Sequence, residues 1–138
     1  MDILAGVVCG LAMGTIFLGV GIYVLVSNRD IYDRLSRSLP QGITPTVVML
    51  GLVISVPPAW VFLGAIAGLA YRLVDESLPD AGLGSSNFVF TVAVLCLSAL
   101  SILIVFLTRK RLVRLGLFIN ISFTGLFGWL LPLLANWR

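Results

Sequence analysis

The segment "VISVPPAWVFLGAIAGLA", residues 53–70, carries no charged side chain and is nearly long enough to cross a membrane as a helix. It contains two adjacent prolines, Pro57 and Pro58. A proline inside a helix lacks a backbone N–H and clashes with the preceding turn, which costs around 3 kcal/mol in a soluble helix. The segment therefore predicts a membrane span that is deformed near its middle.

The composition of the whole chain agrees with a membrane environment. Of the 138 residues, 59% are hydrophobic and 11% are charged, and the mean hydropathy is +1.12. These values lie far outside the average for soluble domains. The sequence therefore predicts an all-α integral membrane protein.

Four apolar segments each reach the length of about 20 residues that a span requires. They cover about residues 3–26, 45–73, 88–107 and 115–135. We interpret residues 1–138 as one domain in which four transmembrane helices form a small bundle. The first segment has no basic residue before it and no small-residue cleavage pattern after it, so we do not expect a removable signal peptide.

The second span is longer than a bilayer needs. Thr44 and Pro45 are typical of a helix start, and 29 residues from there would extend roughly 43 Å against a hydrocarbon core of about 30 Å. The helix must tilt, kink or break. In one interpretation Pro57 and Pro58 only bend it, and Ser55 or a neighbouring helix covers the freed carbonyl groups. In the other, the helix is discontinuous and exposes backbone dipoles at mid-membrane, as in transporters.

Basic residues are concentrated in the two connections that a four-span arrangement places on one side of the membrane. They are Arg29, Arg34, Arg37, Arg109, Lys110, Arg111 and Arg114. The positive-inside rule predicts that this side is cytoplasmic and that both termini face away from the cytoplasm, in an inner or plasma membrane. We expect these side chains to contact lipid headgroups rather than nucleic acid.

The connection between the first two spans, "SNRDIYDRLSRSLPQG", predicts a short amphipathic helix. Ile31, Leu35 and Leu39 recur at intervals of four, and acidic residues precede arginines at the same interval. Such a helix would lie at the cytoplasmic interface with its apolar face toward the membrane. The alternative is an ordinary extension of the first helix.

Small residues recur on faces of several spans. Glycines at helical spacing let two backbones approach closely, which favours helix association in lipid. We expect helix packing at Gly6, Gly10, Gly14, Gly21, Gly64, Gly68, Gly116 and Gly128. The sequence does not indicate which helices pair.

Weakly polar residues form a second pattern. Ser98 and Ser101 share a face of the third span, and Asn120 and Thr124 share a face of the fourth. Either these side chains form hydrogen bonds between helices, or they line a ligand cleft that includes the deformed part of the second span. Asn120 is notable because it is the only amide well inside a span.

The residue inventory also limits the possible functions. The chain has no histidine, and no span core carries a charged residue, so we expect neither catalysis nor a metal site. No cofactor is predicted, although apolar grooves accept lipid, quinone or pigment without a readable motif.

These features favour a noncatalytic membrane subunit, with an accessory, assembly or scaffold role, that packs against a larger membrane complex. The expected partners are membrane lipids and either other membrane subunits or further copies of this chain. The alternative is a small oligomeric transporter or channel for an uncharged, lipidic or anionic solute. Glycine faces left unpaired within the bundle would favour the subunit interpretation.

Overall fold

The computed structural model describes residues 2–40, 42–77, 85–108 and 113–135, and every regular element in these ranges is helical. The elements are α1 (Asp2–Ser27), α2 (Arg29–Ser38), α3 (Pro45–Ser77), α4 (Ser85–Thr108), α5 (Val113–Phe123), a π-helical segment (Thr124–Leu130) and α6 (Leu131–Ala135). The last three are continuous, and we call Val113–Ala135 the fourth span and Thr124–Leu130 the π segment.

Four of the described helices are long and apolar enough to cross a membrane. They are α1, α3, the part of α4 from Phe88 to Leu107, and the fourth span. The prediction of an all-helical chain with four candidate spans is therefore confirmed, and these helices indicate an integral membrane protein. The observed α3 continues four residues beyond the predicted end at residue 73.

A separate short helix follows α1. Asn28 lies between α1 and α2, where its N–H bonds the carbonyl of Val24 at 3.2 Å and its own carbonyl accepts the N–H of Tyr32 at 3.1 Å. Because α2 is a helix of its own, the structure favours the predicted short helix over a simple extension of α1. The position of α2 at a membrane surface stays a prediction.

The start of α3 follows the expected helix signals. Gly42 has a φ of 100°, a conformation that suits glycine, and the N–H of Ile43 bonds the carbonyl of Pro40 at 3.1 Å to close a turn. The carbonyl of Thr44 then accepts the N–H of Val47 at 3.0 Å. Pro45 begins the helix, where its missing N–H has no intrahelical acceptor to lose.

Of the two interpretations of the second span, a bent helix or a broken one, the structure excludes the break. α3 is one helix of 33 residues that remains helical through Pro57 and Pro58. The hydroxyl group of Ser55 donates to the carbonyl of Gly51 at 2.7 Å, so Ser55 does not cover the carbonyls of residues 53 and 54 that the prolines free. A bend at the prolines stays a prediction.

The length of α3 has a further consequence at its C-terminal end. A helix of 33 residues extends about 50 Å, well beyond a hydrocarbon core of about 30 Å. Its last turns are charged, and the Arg72 Nε atom lies 2.7 Å from the Glu76 carboxylate in an exposed ion pair. α3 is therefore long enough to extend past a hydrocarbon core at this charged end without a break in the helix.

The spans alternate in direction, so the bundle has two ends. α1 runs antiparallel to α3, since Gly68 lies beside Ile3 whereas Gly14 lies beside Pro57. We call the end that contains Asp2, Ser77 and Ala135 the terminal end, and the opposite end, next to α2, the α2 end.

The buried core lies mainly between α1 and the fourth span. Cys9, Met13 and Leu131 are fully buried there. α3 and α4 contact each other near the terminal end, where the rings of Tyr71 and Phe90 meet edge to face with centroids 5.2 Å apart. A crevice between the two helices is lined on α3 from Trp60 to Val74.

Candidate functional site

The closest helix contact in the bundle joins α1 and α3 through glycines. Backbone atoms of Gly6 and Gly10 lie against Gly64, and a Cβ atom added at Gly64 would be 2.8 Å from the Cα atom of Gly10. A Cβ atom added at Gly68 would be 2.9 Å from the Cα atom of Ile3. Carbon atoms in favourable contact lie about 3.5–4.0 Å apart, so this approach requires glycine on both helices.

The next turn of α1 meets the proline pair. A Cβ atom added at Gly14 would lie 3.1 Å from both the Cα atom of Pro57 and the Cβ atom of Trp60. Pro57 therefore faces α1, whereas Pro58 is exposed on another side of α3. Gly14 therefore leaves room for the backbone of α3 at Pro57.

The polar residues of the third and fourth spans form a connected cluster. The Thr124 hydroxyl donates to Ser98 Oγ at 2.9 Å, and the Ser98 hydroxyl donates to Asn120 Oδ1 at 3.0 Å. The Asn120 amide nitrogen donates to the Gly116 carbonyl at 3.1 Å and to Ser101 Oγ at 3.5 Å. The structure thus brings together all four polar residues that the sequence assigned to α4 and the fourth span.

This polar cluster is satisfied internally. Ser98 and Asn120 are both buried, and within the described ranges no buried side-chain nitrogen or oxygen lacks a hydrogen-bond partner. Each buried polar atom of the cluster therefore already has at least one partner within the chain. The geometry therefore supports helix packing over a polar path, and Ser55 and Pro58 on α3 lie outside the cluster.

Three further glycines differ in their surroundings. A Cβ atom added at Gly116 would lie 2.9 Å from Val105 Cγ1, and one added at Gly128 would lie 3.4 Å from Val94 Cγ1, so both face α4. A Cβ atom added at Gly21 meets no heavy atom within 4 Å in the described part of the chain. Gly21 therefore does not join the glycine contact that Gly6, Gly10 and Gly14 make with α3.

Thr91 of α4 bonds a backbone carbonyl in the π segment. The Thr91 hydroxyl donates to the carbonyl of Gly128 at 2.6 Å from the neighbouring helix. In this segment the Leu131 N–H bonds the carbonyl of Leu126, five residues earlier, and Pro132 follows with no N–H to donate. Thr91 therefore supplies a donor from α4 where the backbone of the fourth span departs from α-helical hydrogen bonding.

An aromatic cluster around Trp60 was missed by the sequence interpretation. The indole ring of Trp60 lies 5.7 Å from the ring of Phe17 and 6.5 Å from those of Phe123 and Phe127, centroid to centroid. Tryptophan usually occupies membrane interfaces, so the position of Trp60 at the middle of a span could have indicated a buried aromatic cluster. This cluster fills the centre of the bundle between α1, α3 and the fourth span.

Two adjacent cavities lie within the bundle, the first between α3 and α4 and the second mainly between α1, α4 and the fourth span. The first has a volume of about 490 Å³ and is lined by side chains of Ala, Val, Leu, Phe and Trp; we call it the apolar cavity. The second has a volume of about 410 Å³ and reaches Ser101 and Asn120. Trp60, Leu97 and Phe123 line both cavities and mark the boundary between them.

The described basic residues at the α2 end are exposed. These are Arg29, Arg34, Arg37 and Arg114. The predicted headgroup residues Arg109, Lys110 and Arg111 lie outside the described residues. Among the described residues there is no group of three or more His, Cys, Asp or Glu side chains that could hold a metal ion.

The described residues form an all-helical protein with four candidate transmembrane helices. A glycine contact joins α1 to α3, and a crevice lies between α3 and α4. Comparison of the chain with protein-family models, curated proteins and solved structures finds no match.

Proposed function

We propose that the chain is a noncatalytic membrane subunit, with an accessory, assembly or scaffold role, that packs against a larger membrane protein complex. The observation that carries this proposal is a small-residue face of α3. Gly51, Ser55 and Ala59 follow one another at intervals of four, and all three are exposed. Gly64 and Gly68 differ, because α1 already covers them.

The backbone of α3 is accessible on this face. A Cβ atom added at Gly51 meets no heavy atom within 4 Å among the residues that the structure describes. Exposed apolar surface alone does not require a partner, since lipid tails are as apolar as leucine. A helix that packs against small residues, however, gains close dispersion contacts with the backbone.

The interior of the bundle also supports a packing role. Thr124, Ser98 and Asn120 direct their hydrogen bonds to one another or to the chain's own backbone. These bonds hold α4 against the fourth span. The polar groups thus stabilise the unit itself, while the small residues of α3 remain available to another chain.

The test is purification of the tagged chain from its own membrane in mild detergent, at its native expression level. Copurifying proteins are identified by mass spectrometry, and the particle mass is measured. Gly51→Leu should remove a stoichiometric membrane partner. Gly19→Leu is the matched control, since a Cβ atom at Gly19 also meets no heavy atom within 4 Å in the described chain. A homo-oligomer without a partner, or equal effects of the two variants, would contradict the proposal.

A small oligomeric transporter or channel is the second candidate, and the crevice between α3 and α4 is the observation that favours it. The apolar lining suits a lipidic solute better than an anionic one. Because α3 stays helical through the proline pair, a transport route would follow the crevice rather than exposed helix ends. A homo-oligomer that moves labelled lipid between leaflets of a vesicle would support this function.

We further propose that the α2 end faces the cytoplasm and that both termini face away from it, in an inner or plasma membrane. The exposed arginines of α2 and Arg114 support this orientation. Cysteines introduced at Ser36 in α2 and at Ser77 at the terminal end test it in a background without Cys9 and Cys96. An impermeant maleimide added to intact cells should label position 77 but not position 36. Labelling of position 36 alone would reverse the orientation.

A further inference from the structure

The helix α2 has an apolar face that the described part of the chain leaves uncovered. Every side chain that the structure describes in α2 is exposed, and Ile31 and Tyr32 are the two large apolar side chains among them. We call the direction midway between these two residues the apolar face of α2. What covers this face follows from the two helices that flank α2 in the chain.

The flanking helices fix the height of α2 relative to the membrane. Val26, near the end of α1, and Val47, in the first turn of α3, are both exposed. Both helices are long and apolar enough to span a membrane, so these side chains lie in or next to the hydrocarbon. α2 begins three residues after Val26, which is about 4.5 Å along a helix. α2 therefore lies at the level of the lipid headgroups, where amphipathic helices insert their apolar faces.

Two arginines lie at the edges of the apolar face. Successive residues of a helix are about 100° apart around its axis, so Arg29 and Arg34 each lie about 110° from the centre of this face, on opposite sides. An arginine at such an edge lays its apolar stem along the hydrocarbon and holds its guanidinium group among the phosphates. Guanidinium groups bind phosphate through paired hydrogen bonds. α2 thus places positive charge where a phospholipid surface carries negative charge.

The opposite side of α2 carries both of its acidic residues. Asp30 and Asp33 lie about 150° from the centre of the apolar face, and Arg37 lies about 170° from it. The Arg37 Nε atom donates to the backbone carbonyl of Asp33 at 3.3 Å, so this guanidinium group is held along the helix. Carboxylates repel phosphate groups of the same charge. This side of α2 therefore suits water.

We infer that α2 docks on the bilayer through Ile31 and Tyr32 and that Arg29 and Arg34 bind the phosphate groups of phospholipids in the leaflet at the α2 end. The sequence grouped Arg37 with the headgroup residues, whereas in this arrangement Arg37 faces water. The inference goes beyond the proposed function and does not rest on it. It holds for either orientation of the chain in the membrane, because phospholipids form both leaflets.

The depth of four consecutive positions tests the docking. Single cysteines are introduced by Asp30→Cys, Ile31→Cys, Tyr32→Cys and Asp33→Cys, in a background without the two native cysteines, and each is spin-labelled. All four positions are exposed, so the labels disturb no buried packing. The purified chain is placed in vesicles of phosphatidylcholine and phosphatidylglycerol, and depth is measured from collisions of the label with oxygen and with a water-soluble nickel complex.

The depths should alternate between lipid and water. Labels at positions 31 and 32 should lie about 5–10 Å below the phosphates, whereas labels at positions 30 and 33 should lie on the water side. Equal contact with the nickel complex at all four positions would overturn the inference. That result is expected if the apolar face of α2 is a docking surface for another protein, because the vesicles contain no other protein.

The phosphate contacts are tested with two matched arginine variants. The guanidinium carbons of all arginines are labelled with carbon-13, and their proximity to lipid phosphorus is measured by solid-state NMR in the same vesicles. Arg34→Gln should reduce the signal, and so should Arg29→Gln. Arg37→Gln is the control, since Arg37 is equally exposed but lies on the opposite side of α2, and it should leave the signal unchanged. Equal losses in Arg34→Gln and Arg37→Gln, or no loss in Arg34→Gln, would overturn the inference.

Discussion

Replacement of Gly64 by alanine should push α1 and α3 apart. The added Cβ atom would lie 2.8 Å from the Cα atom of Gly10 and 3.0 Å from its backbone nitrogen, and it would also meet the carbonyl oxygen of Gly6. Carbon atoms in contact prefer a separation of about 3.5–4.0 Å, so the helices must separate by roughly 1 Å. Neither helix offers a flexible side chain that could move instead, since the contacting atoms belong to the backbone.

The expected loss follows from the dispersion contacts along this interface. Each atom pair contributes about 0.1–0.2 kcal/mol, and a gap of about 0.5–1 Å forfeits a quarter to a half of that attraction. For about 40 pairs, the number that one buried side chain makes, the free energy of unfolding falls by about 1–4 kcal/mol. This range overlaps the cost of about 1–3 kcal/mol for overpacked cores.

The assay is the free energy of unfolding in bicelles, measured by steric trapping of doubly biotinylated protein. Gly51→Ala is the control in the same helix, because its Cβ atom would meet no heavy atom within 4 Å in the described chain. We expect it to raise the free energy of unfolding by up to about 1 kcal/mol, because alanine has the higher helix propensity. Gly10→Ala combined with Gly64→Ala should cost less than the sum of the two single changes, because one separation relieves both clashes. Equal effects of Gly64→Ala and Gly51→Ala would refute the close-contact argument.

Three other changes test the remaining contacts by the same unfolding measurement. Thr91→Val should lower the free energy of unfolding by about 0.6–1.7 kcal/mol, because it leaves the Gly128 carbonyl without its hydroxyl donor. Thr91→Ser keeps the hydroxyl group and should retain most of the stability. Equal losses in the two variants would contradict this role of Thr91. Asn120→Leu should cost about 1–2 kcal/mol, because it removes both the acceptor and the donors at the centre of the polar cluster, and a neutral result would contradict the network. Glu76→Gln should leave stability nearly unchanged, since the ion pair with Arg72 is exposed, and a clear loss would show that the pair is protected from water.

The sequence indicated which helix faces carry small packing residues. It did not indicate which of these faces contact each other. Gly6, Gly10 and Gly14 share a face with Gly21, yet only the first three lie against α3. Helical periodicity gives the direction of a residue around the axis, but it contains no information about the distance to another helix. Gly64 was predicted to pack for the same reason, and its pairing with α1 became visible only in three dimensions.

The contacts of the polar residues could also be predicted only in part. Their positions on α4 and the fourth span predicted two facing stripes, and Ser98 and Asn120 do meet. The hydrogen bond from Thr91 of α4 to the carbonyl of Gly128 was not predicted, because it depends on the relative height of the two helices. Single-span patterns do not fix that height, because every turn of a regular helix offers an equivalent position.

Side-chain size explains why α3 packs closely against α1 but leaves a crevice toward α4. On the side toward α1, Gly64 presents no side chain, so the two backbones come within contact distance. One turn earlier, Trp60 presents a bulky indole ring, which packs among Phe123 and Phe127 of the fourth span. The indole holds the middle of α3 away from α4, while Tyr71 and Phe90 still meet near the terminal end. The crevice is therefore a product of side-chain size along one helix: glycine brings α3 to α1, and the central aromatic cluster keeps it from closing on α4.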